Sequence, residues 1–254
     1  MRGFRSVRNG AQAFIEAALG IRIYRQLPRG LDIFADIETY LPRLRIERIV
    51  DVGAHVGLVA LELRRRFPAA EIHSFEPTAA TYETLKANVA RHDIRTHHVA
   101  LSDAPGRGAM SDGLTSDLNQ LTRDGAGPVT VQTLDGVFGS TRIGYLKIDA
   151  EGHDLHVLKG ARVLLSSGRI DVIEVEAGMG RTGTSRHVPL AGFREYLDGF
   201  GYELFGIYEQ VGDWVSGLER LRRANVVFAS RLVLEANAVP SAYAATVDAE
   251  RRGG

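Results

Sequence analysis

The chain has 254 residues, with 31 lysines and arginines against 31 acidic residues. This length is enough to bury the core of one large α/β domain. A formal net charge of zero gives no electrostatic reason to expect a nucleic-acid partner, and the lack of cysteine excludes disulfides, thiolate metal sites and a thiol nucleophile.

Residues 1–45 are predicted to form a helical or lid-like segment. Three arginines precede the apolar stretch AQAFIEAALG, but Glu16 interrupts it and no clear small-residue cleavage site follows. We therefore predict a short amphipathic helix rather than a targeting signal. No apolar stretch approaches the roughly 20 residues of a membrane span. The sequence thus predicts no membrane span and a cytoplasmic location.

One domain is predicted over residues 46–232, followed by a disordered tail over residues 237–254. Its strands are typically short apolar runs, and they alternate with helical patterns. The predicted strands are RIVDV (48–52), EIHSFE (71–76), THHVAL (96–101), VTVQTL (129–134), YLKID (145–149), VIEVE (172–176), GYELFGIYE (201–209) and ANVVFAS (224–230). Helices are predicted over 54–67, 78–91, after residue 149 and near 193–200.

This alternation predicts an α/β fold with a doubly wound, mostly parallel sheet. The last two strands have only a short link and favour an antiparallel pair at one edge. In such sheets, ligands bind beyond the carboxyl ends of the strands. The residues that follow the strands are therefore the candidates for a functional site.

The first of these candidates is the loop after the first strand. Gly53 permits a sharp turn, and Gly57 lets the next helix pack close to the sheet and to a ligand. The dinucleotide fingerprint G-x-G-x-x-G requires a middle glycine, and Ala54-His55 replace it here. Asp51 suits an ammonium or sulfonium group better than a pyrophosphate. A tight turn without any ligand is the alternative.

Glu76 ends the second strand, 23 positions after Gly53. This is close to the spacing at which an acid binds ribose hydroxyls in dinucleotide-binding folds. A carboxylate can accept hydrogen bonds from both hydroxyls. Together with the glycine turn, Glu76 favours a ligand that contains adenosine.

Acidic side chains also follow the strand over 145–149. Asp149 and Glu151 are two positions apart and project to the same side of an extended chain, with His153 close behind. One interpretation makes Asp149 or Glu151 a base, with His153 as a possible second base. Another makes the group a site for a divalent metal. Helix capping by Asp154 is the structural alternative.

Glu174 and Glu176 lie two apart inside the apolar strand over 172–176. A buried carboxylate is unfavourable unless it is paired or functional. Lys147 on the neighbouring predicted strand is a candidate partner, so an ion pair and a catalytic role for Glu174 are equally good interpretations.

The motifs resemble those of the FkbM-type S-adenosylmethionine-dependent methyltransferases. The resemblance covers about residues 47–230, and the LKIDAEG…LKGA block is its most specific part. The matching segments are VDVGAHVG (50–57), FEPTAATYETLKANV (75–89), VALSD (99–103), VQTLD (131–135), LKIDAEGHDLHVLKGA (146–161) and IEVE (173–176). His153 departs from the pattern, in which a small residue is expected.

The resemblance implies a class I methyltransferase fold, Rossmann-like, with a seven-stranded sheet. It also implies that the loop Asp51–Gly57 surrounds the methionine part of S-adenosylmethionine and that Glu76 holds the ribose. Ser102 and Asp103 would lie near the adenine. The edge with Asp149 and Glu151 would face the methyl group and the acceptor.

The resemblance therefore implies an O-methyltransferase whose acceptor is a hydroxyl of a sugar, glycolipid or polyketide-like natural product. Two alternatives remain open at this point. A nicotinamide-dependent oxidoreductase could share the fold, although it requires the missing middle glycine. A non-catalytic domain that binds S-adenosylmethionine would serve a partner enzyme.

Overall fold

The computed structural model describes residues 10–24, 27–110, 121–122, 127–180, 187–213 and 217–239. The helices are α1 (Gly10–Leu19), α2 (Ile33–Tyr40), α3 (Leu58–Arg66), α4 (Ala79–Val89), α5 (Leu134–Phe138), α6 (Asp154–Lys159), α7 (Arg162–Ser166), α8 (Leu190–Asp198) and α9 (Arg231–Asn237). The strands are β1 (Arg48–Val52), β2 (Glu71–Phe75), β3 (Ile94–His97), β4 (Ala100–Leu101), β5 (Gly106–Met110), β6 (Leu121–Thr122), β7 (Val129–Gln132), β8 (Ile143–Ile148), β9 (Ile170–Gly178), β10 (Tyr202–Asp213) and β11 (Leu218–Ser230).

Seven of these strands form the main sheet, in the order β10-β11-β9-β8-β1-β2-β3. The strands from β9 to β3 run parallel, and β11 pairs antiparallel with both β9 and β10. Every residue of β8 and of β9 is buried, as expected for central strands covered on both faces. The predicted doubly wound sheet with an antiparallel edge pair is confirmed.

A second, smaller sheet was not predicted. It has the order β4-β7-β5-β6, and β4 and β6 are only two residues long. The predicted strand over 96–101 is therefore wrong in its extent, because β3 ends at His97 in the main sheet while Ala100–Leu101 pair with β7 in the small one. The small sheet lies after the carboxyl end of β3, beside the predicted ligand edge.

Helix α3 begins at Leu58 rather than at Ala54. Gly57 has a φ of 88°, which is left-handed and cannot continue an α-helix, so residues 53–57 form a loop. The helix predicted after residue 149 is two short helices, α6 and α7, separated by Gly160 and Ala161. Gly160 allows this region to approach the sheet, since a Cβ there would lie 2.0 Å from the carbonyl oxygen of Ser102.

Helices precede the first strand and follow the last strand of the main sheet. Helices α1 and α2 lie in the predicted N-terminal segment, and α9 precedes the predicted tail, of which residues 240–254 lie outside the described residues. Within the part of the chain that the structure describes, no helix is both long and apolar enough to cross a membrane. The boundaries of the three predicted parts stay predictions.

Candidate functional site at the carboxyl ends of the strands

The loop after β1 is shaped by a close approach between two stretches of backbone. Gly53 has a φ of 78°, and a Cβ on it would lie 1.9 Å from the carbonyl oxygen of Asp149. The amides of Gly53 and Ala54 both donate to the carbonyl oxygen of Phe75, and the amide of Asp149 donates to that of Val52. These bonds join the ends of β1, β2 and β8 into one rigid edge.

We expect Gly53→Ala to destabilise the protein by at least ~3 kcal/mol, because the added Cβ overlaps a backbone atom that cannot move alone. Gly201→Ala is the matched control, since Gly201 has a nearly equal φ of 76° and no heavy atom within 4 Å of its would-be Cβ. The control should lose about 1 kcal/mol. Chemical denaturation of both variants checks this, and equal losses would contradict the close approach.

Glu76 is held in place by backbone amides. Its Oε2 accepts a hydrogen bond from the amide of His55 at 3.1 Å, and its Oε1 accepts one from the amide of Thr78 at 2.8 Å. The residue is buried, at 6% exposure. Each carboxylate oxygen has further lone pairs. The carboxylate is thus oriented in advance and can still accept hydrogen bonds from a ligand.

A cleft of about 220 Å³ lies beside this loop, and we call it the glycine-loop cleft. Its polar and glycine-loop walls come from the ends of β1, β2 and β8 and the residues that follow them: Gly53, His55, Glu76, Thr78, Asp149, Glu151 and His153. Its apolar walls come from β1, β2, the link between β3 and β4, and the small sheet: Val52, Phe75, Val99, Leu101, Met110 and Leu121. An apolar slot with a few fixed polar groups is typical of a site for a small molecule or cofactor.

Asp51 lies on β1, two residues before Gly53, and is fully buried, so it does not itself line the glycine-loop cleft. Among the described residues, neither of its carboxylate oxygens has a hydrogen-bond partner, although Lys147 Nζ lies 4.0 Å from Oδ1. Burial raises the pKa of Asp51 to about 6, with Lys147 opposing the shift and Asp149 and Glu76 adding to it. A buried carboxylate without hydrogen bonds is unfavourable, so its oxygens suit a cationic group of a ligand.

Lys147 lies between the acids that follow β1 and those around β8. Its Nζ contacts Asp149 Oδ2 at 3.2 Å as well as Asp51. Burial opposes the charge, but Asp149, Asp51 and Glu174 together raise the pKa of Lys147. The side chain is therefore a buried cation whose position is fixed by two carboxylates, one on β1 and one directly after β8.

The prediction of a direct ion pair between Lys147 and Glu174 is wrong, because Glu174 has other hydrogen-bond partners. Glu174 accepts hydrogen bonds from the hydroxyl of Tyr145 and, at 2.9 Å, from Asn225 Nδ2. Its charge still acts on Lys147 from the neighbouring strand. Burial raises the pKa of Glu174. Tyr145 and Asn225 thus stabilise a buried carboxylate that the sequence left without an identified partner.

A second cleft, of about 280 Å³, opens on the other side of Asp149, and we call it the acidic cleft. Its charged walls come from α3, β8, β9, β10 and β11 and the loop before α2: Asp32, Glu62, Lys147, Asp149, Glu174, Glu176, Glu209 and Arg223. Leu31, Ile33, Phe34, Tyr208 and Asn225 are among its other walls. Glu176 is held there by Arg223 and by His187 Nδ1, the latter at 2.8 Å.

Asp149 is the residue that lines both clefts. Its side chain is 41% exposed and reaches Lys147 at its inner side. The two clefts therefore meet at the Asp149 carboxylate, and ligands bound in them would approach each other there. Glu151 lines only the glycine-loop cleft, while Glu174 lines only the acidic cleft.

His153 and Ser102 form a contact that the sequence did not reveal. Ser102 Oγ lies 2.8 Å from His153 Nε2 and donates to Asp103 Oδ1 at 3.0 Å. Ser102 is fully buried, and neither it nor Asp103 lines the glycine-loop cleft, whereas His153 does. Ser102 thus contacts His153 from outside the cleft, and the predicted adenine contacts of Ser102 and Asp103 stay predictions. His153 itself does not line the acidic cleft.

Several cleft residues were missed by the sequence analysis. Four residues of the acidic cleft come from the antiparallel edge pair, for which the sequence predicts no functional role: Tyr208, Glu209, Arg223 and Asn225. A polar residue inside an otherwise apolar run, as in ANVVFAS, is the signal that could have identified Asn225. Residues 111–120 and 181–186 lie outside the described residues.

The described side chains do not support the alternative of a divalent-metal site. Within the described ranges, no group of three or more histidine, aspartate or glutamate side chains is arranged to hold a metal ion. Asp154 instead accepts hydrogen bonds from the amides of Ala150 and Gly152 in the loop before α6. The predicted helix capping by Asp154 is wrong, because Asp154 is the first residue of α6 and His153 occupies the N-cap position. Burial raises the pKa of Asp154 to about 6.

Comparisons with known proteins agree with this architecture. The chain is 28% identical over 153 residues to methyltransferase sdnD of Sordaria araneosa, covering 44% of this chain and 59% of the relative. It is 26% identical over 140 residues to the hexuronic acid methyltransferase AglP of Haloferax volcanii, covering 51% of this chain and 56% of that protein. The chain thus spans little more than half of these relatives' length.

A solved structure shows the same fold. Methyltransferase FkbM from Methylobacillus flagellatus superposes with a TM-score of 0.51 at 18% identity, covering 72% of this chain and 43% of that one. The methyltransferase FkbM domain model matches residues 51–204, from the buried aspartate of β1 into β10. This match includes the glycine loop, Glu76, Asp149 and Glu174. The chain therefore belongs to the FkbM methyltransferase family.

Proposed function

We propose that this protein is an S-adenosylmethionine-dependent O-methyltransferase. The observation that carries the proposal is the position of Asp149, which lines both the glycine-loop cleft and the acidic cleft. A methyltransferase requires a donor site and an acceptor site that meet at one point. Family membership favours the methyl-transfer activity over the nicotinamide-dependent alternative.

The glycine-loop cleft fits S-adenosylmethionine by its chemistry. Glu76 is oriented to accept the ribose hydroxyls, and the apolar walls around Leu101 suit the adenine face. Asp51 supplies a buried carboxylate for the ammonium of the methionine part. When bound, the cofactor supplies a methyl group activated by the positive sulfur. The chain's own contribution is mainly to position the two reactants.

The acidic cleft is the proposed acceptor site. Its walls offer carboxylates, a tyrosine and an asparagine, which suit a molecule with several hydroxyls. Asp149 would accept the proton of the acceptor hydroxyl, and Lys147 would hold the Asp149 carboxylate in position at 3.2 Å. Glu151 and Glu174 are the other candidate bases, each facing only one of the clefts. His153 is better placed to support the cofactor.

The class of acceptor is inferred from the relatives of this chain. One relative is named for hexuronic acid, and another, 35% identical over 60 residues, is the 31-O-demethyl-FK506 methyltransferase FkbM of Streptomyces tacrolimicus, covering 23% of each chain. We infer a hydroxyl on a sugar, glycolipid or polyketide-like molecule, and no nucleic acid. The cytoplasmic location stays a prediction from the sequence.

An acceptor screen with methyl-deuterated S-adenosylmethionine and mass spectrometry tests the activity. Hydroxylated sugars, glycolipids and polyketides should include at least one molecule that gains the labelled methyl on oxygen. Transfer to nitrogen or carbon alone would contradict the O-methyl assignment. Tight cofactor binding without transfer to any acceptor would favour the non-catalytic domain.

We expect Glu76→Ala to lower the affinity for S-adenosylhomocysteine by at least ~tenfold, because hydrogen bonds to a charged group are worth about 1.5–3 kcal/mol. Glu235→Ala on the exposed side of α9 is the control and should leave the affinity unchanged. Isothermal titration calorimetry measures both. Equal affinities for the two variants would remove Glu76 from the cofactor site.

A further inference from the structure

The acidic cleft holds more negative charge than its ion pairs neutralise. Among the described residues, it is lined by six carboxylates and by two cations, Lys147 and Arg223. Four of the carboxylates pair with these two cations or with arginines of α3. The other two belong to Glu174 and Glu209, and neither forms an ion pair with a described residue. The cleft therefore has excess negative charge at these two side chains.

One amide group holds these two carboxylates side by side. Asn225 Nδ2 donates to Glu174 Oε1 and to Glu209 Oε2, at 2.9 Å in each case. The two oxygens therefore lie within about 6 Å of each other, a separation that one ammonium group with three donors can bridge. Glu174 is buried, and burial raises its pKa, with Lys147 opposing the shift and Glu209 adding to it. Neighbouring carboxylates with neutral donors alone are unfavourable, so a bound cation would stabilise them.

The backbone at Glu209 is distorted, and this observation does not depend on the charges. The register of β10 against β11 shifts between Tyr208 and Val211, as at a β-bulge. Glu209 lies within this shift and has a φ of 44°, which residues other than glycine rarely adopt. Bulges re-aim side chains and are frequent beside functional sites. The family match ends at residue 204, so Glu209 and Asn225 lie outside the matched part of the chain.

We propose that the acceptor bound in the acidic cleft carries a protonated amino group, which lies between the carboxylates of Glu174 and Glu209. This assignment rests on the proposed function, in which the acidic cleft is the acceptor site. The acceptor is then a hydroxylated amine, such as an amino sugar. Leu31, Ile33 and Phe34 provide apolar walls for its carbon skeleton.

The bound ammonium would direct the reaction to oxygen. A protonated nitrogen has no lone pair, so it cannot attack the methyl group. With the amine held by Glu174 and Glu209, a hydroxyl of the same molecule can reach Asp149, where the two clefts meet. The acceptor oxygen forms its bond to the methyl carbon as the carbon–sulfur bond breaks and the electron pair stays on sulfur. The hydroxyl proton passes to Asp149.

Two other kinds of ligand fit this place less well. An asparagine between two carboxylates presents its NH₂ group to both, because only that group can donate. A divalent metal requires oxygen ligands, so Asn225 is turned the wrong way for one. An acceptor with its own carboxylate would meet charges of the same sign. The inferred acceptor thus differs in charge from the hexuronic acid in the name of one relative.

Calorimetric titration of the full chain at pH 7, in the presence of S-adenosylhomocysteine, tests the proposal with three matched sugars. D-Glucosamine should bind at least ~tenfold more tightly than D-glucose, which has a hydroxyl in place of the amine, because hydrogen bonds to charged groups are the stronger ones. D-Glucuronic acid should bind more weakly than D-glucose. Equal affinities for glucosamine and glucose, tighter binding of glucuronic acid, or binding of none of the three would overturn the proposal.

Glu209→Gln should weaken the binding of glucosamine at least ~tenfold and leave the binding of glucose unchanged, because it removes a charge and keeps the shape of the side chain. Glu203→Gln is the matched control. Glu203 lies on the same strand, is 51% exposed, pairs with Arg231 and does not line the acidic cleft, so glucosamine should bind normally. Equal affinities of the two variants for glucosamine would overturn the proposal. So would Ca²⁺ binding that Glu209→Gln removes, in a protein that does not bind glucosamine.

Binding of S-adenosylhomocysteine is measured on the same samples and keeps the two proposals distinguishable. Both variants should retain it, which also shows that they are folded. Wild-type protein that prefers glucosamine but does not bind S-adenosylhomocysteine would contradict the proposed function alone. Wild-type protein that binds S-adenosylhomocysteine but does not prefer glucosamine would contradict only the amine-bearing acceptor.

Discussion

Asp51→Asn is expected to weaken cofactor binding and, at the same time, to stabilise the protein without cofactor. The ammonium of S-adenosylmethionine loses its buried carboxylate partner, so its affinity should fall at least ~tenfold. The unfolding free energy at pH 7.5 should rise by about 1–3 kcal/mol, because a buried carboxylate without hydrogen bonds is replaced by a neutral amide. Lys147 keeps Asp149 as its partner in the variant.

The sign of the pH dependence follows from the pKa. The pKa of Asp51 is raised from 3.8 to about 6 in the folded protein, chiefly by burial, so the native state binds this proton more tightly than the unfolded chain. The resulting stability is present below pH 4 and is lost as the pH rises through 6. The gain from Asp51→Asn should therefore be smaller at pH 5 than at pH 7.5 in chemical denaturation.

Asp171→Asn is the matched control for this experiment. Asp171 is also buried, at 1% exposure, but it accepts hydrogen bonds from Arg142 and lies at the amino end of β9, away from the ligand edge. Its replacement should lower stability and leave the affinity for S-adenosylmethionine unchanged. If both variants lost stability and neither lost affinity, Asp51 would have no role in binding the cofactor.

Asp149→Asn is expected to lower kcat by ~10²- to 10⁴-fold, because the proton of the acceptor hydroxyl loses its acceptor. The affinity for S-adenosylhomocysteine should change by less than about threefold, since the loss concerns the reaction rather than binding. Single-turnover rates and calorimetry with the same protein preparation separate the two effects.

Glu174→Gln is the control that tests the choice of base. Glu174 lines only the acidic cleft and accepts hydrogen bonds from Tyr145 and Asn225. We expect its replacement to raise KM for the acceptor more than it lowers kcat. A kcat that falls with Glu174→Gln and stays unchanged with Asp149→Asn would transfer the role of base to Glu174.

The main sheet could be predicted from the sequence because its strands are covered on both faces and therefore read as continuous apolar runs. The small sheet could not. Ala100–Leu101 and Leu121–Thr122 are too short to form a pattern, and Gly106–Met110 contains two glycines. These strands exist because the residues pair with distant partners, as Gly106 does with Val131. Pairing of this kind leaves no local signal.

The two clefts also differ in how much of each could be predicted from the sequence. The glycine-loop cleft is built largely from residues directly after β1, β2 and β8, so a topological rule and the spacing between Gly53 and Glu76 were enough to propose it. The acidic cleft brings Leu31 before α2 together with Asn225 in β11 across 194 positions of the chain. No spacing rule connects such residues. Asn225 reaches this cleft because β11 pairs antiparallel with β9 in the same sheet, which places it opposite Glu176.

Calorimetric titration of the purified protein with S-adenosylmethionine and S-adenosylhomocysteine, with NAD and NADP as controls, tests the central claim most directly. The proposed site predicts micromolar affinity for the first two ligands and none for the dinucleotides. The Asp51–Gly57 loop should be responsible, so Asp51→Asn should weaken this binding at least ~tenfold. Binding of NAD in place of S-adenosylmethionine, or binding of none of the four, would contradict the proposed cofactor and with it the proposed methyltransferase activity.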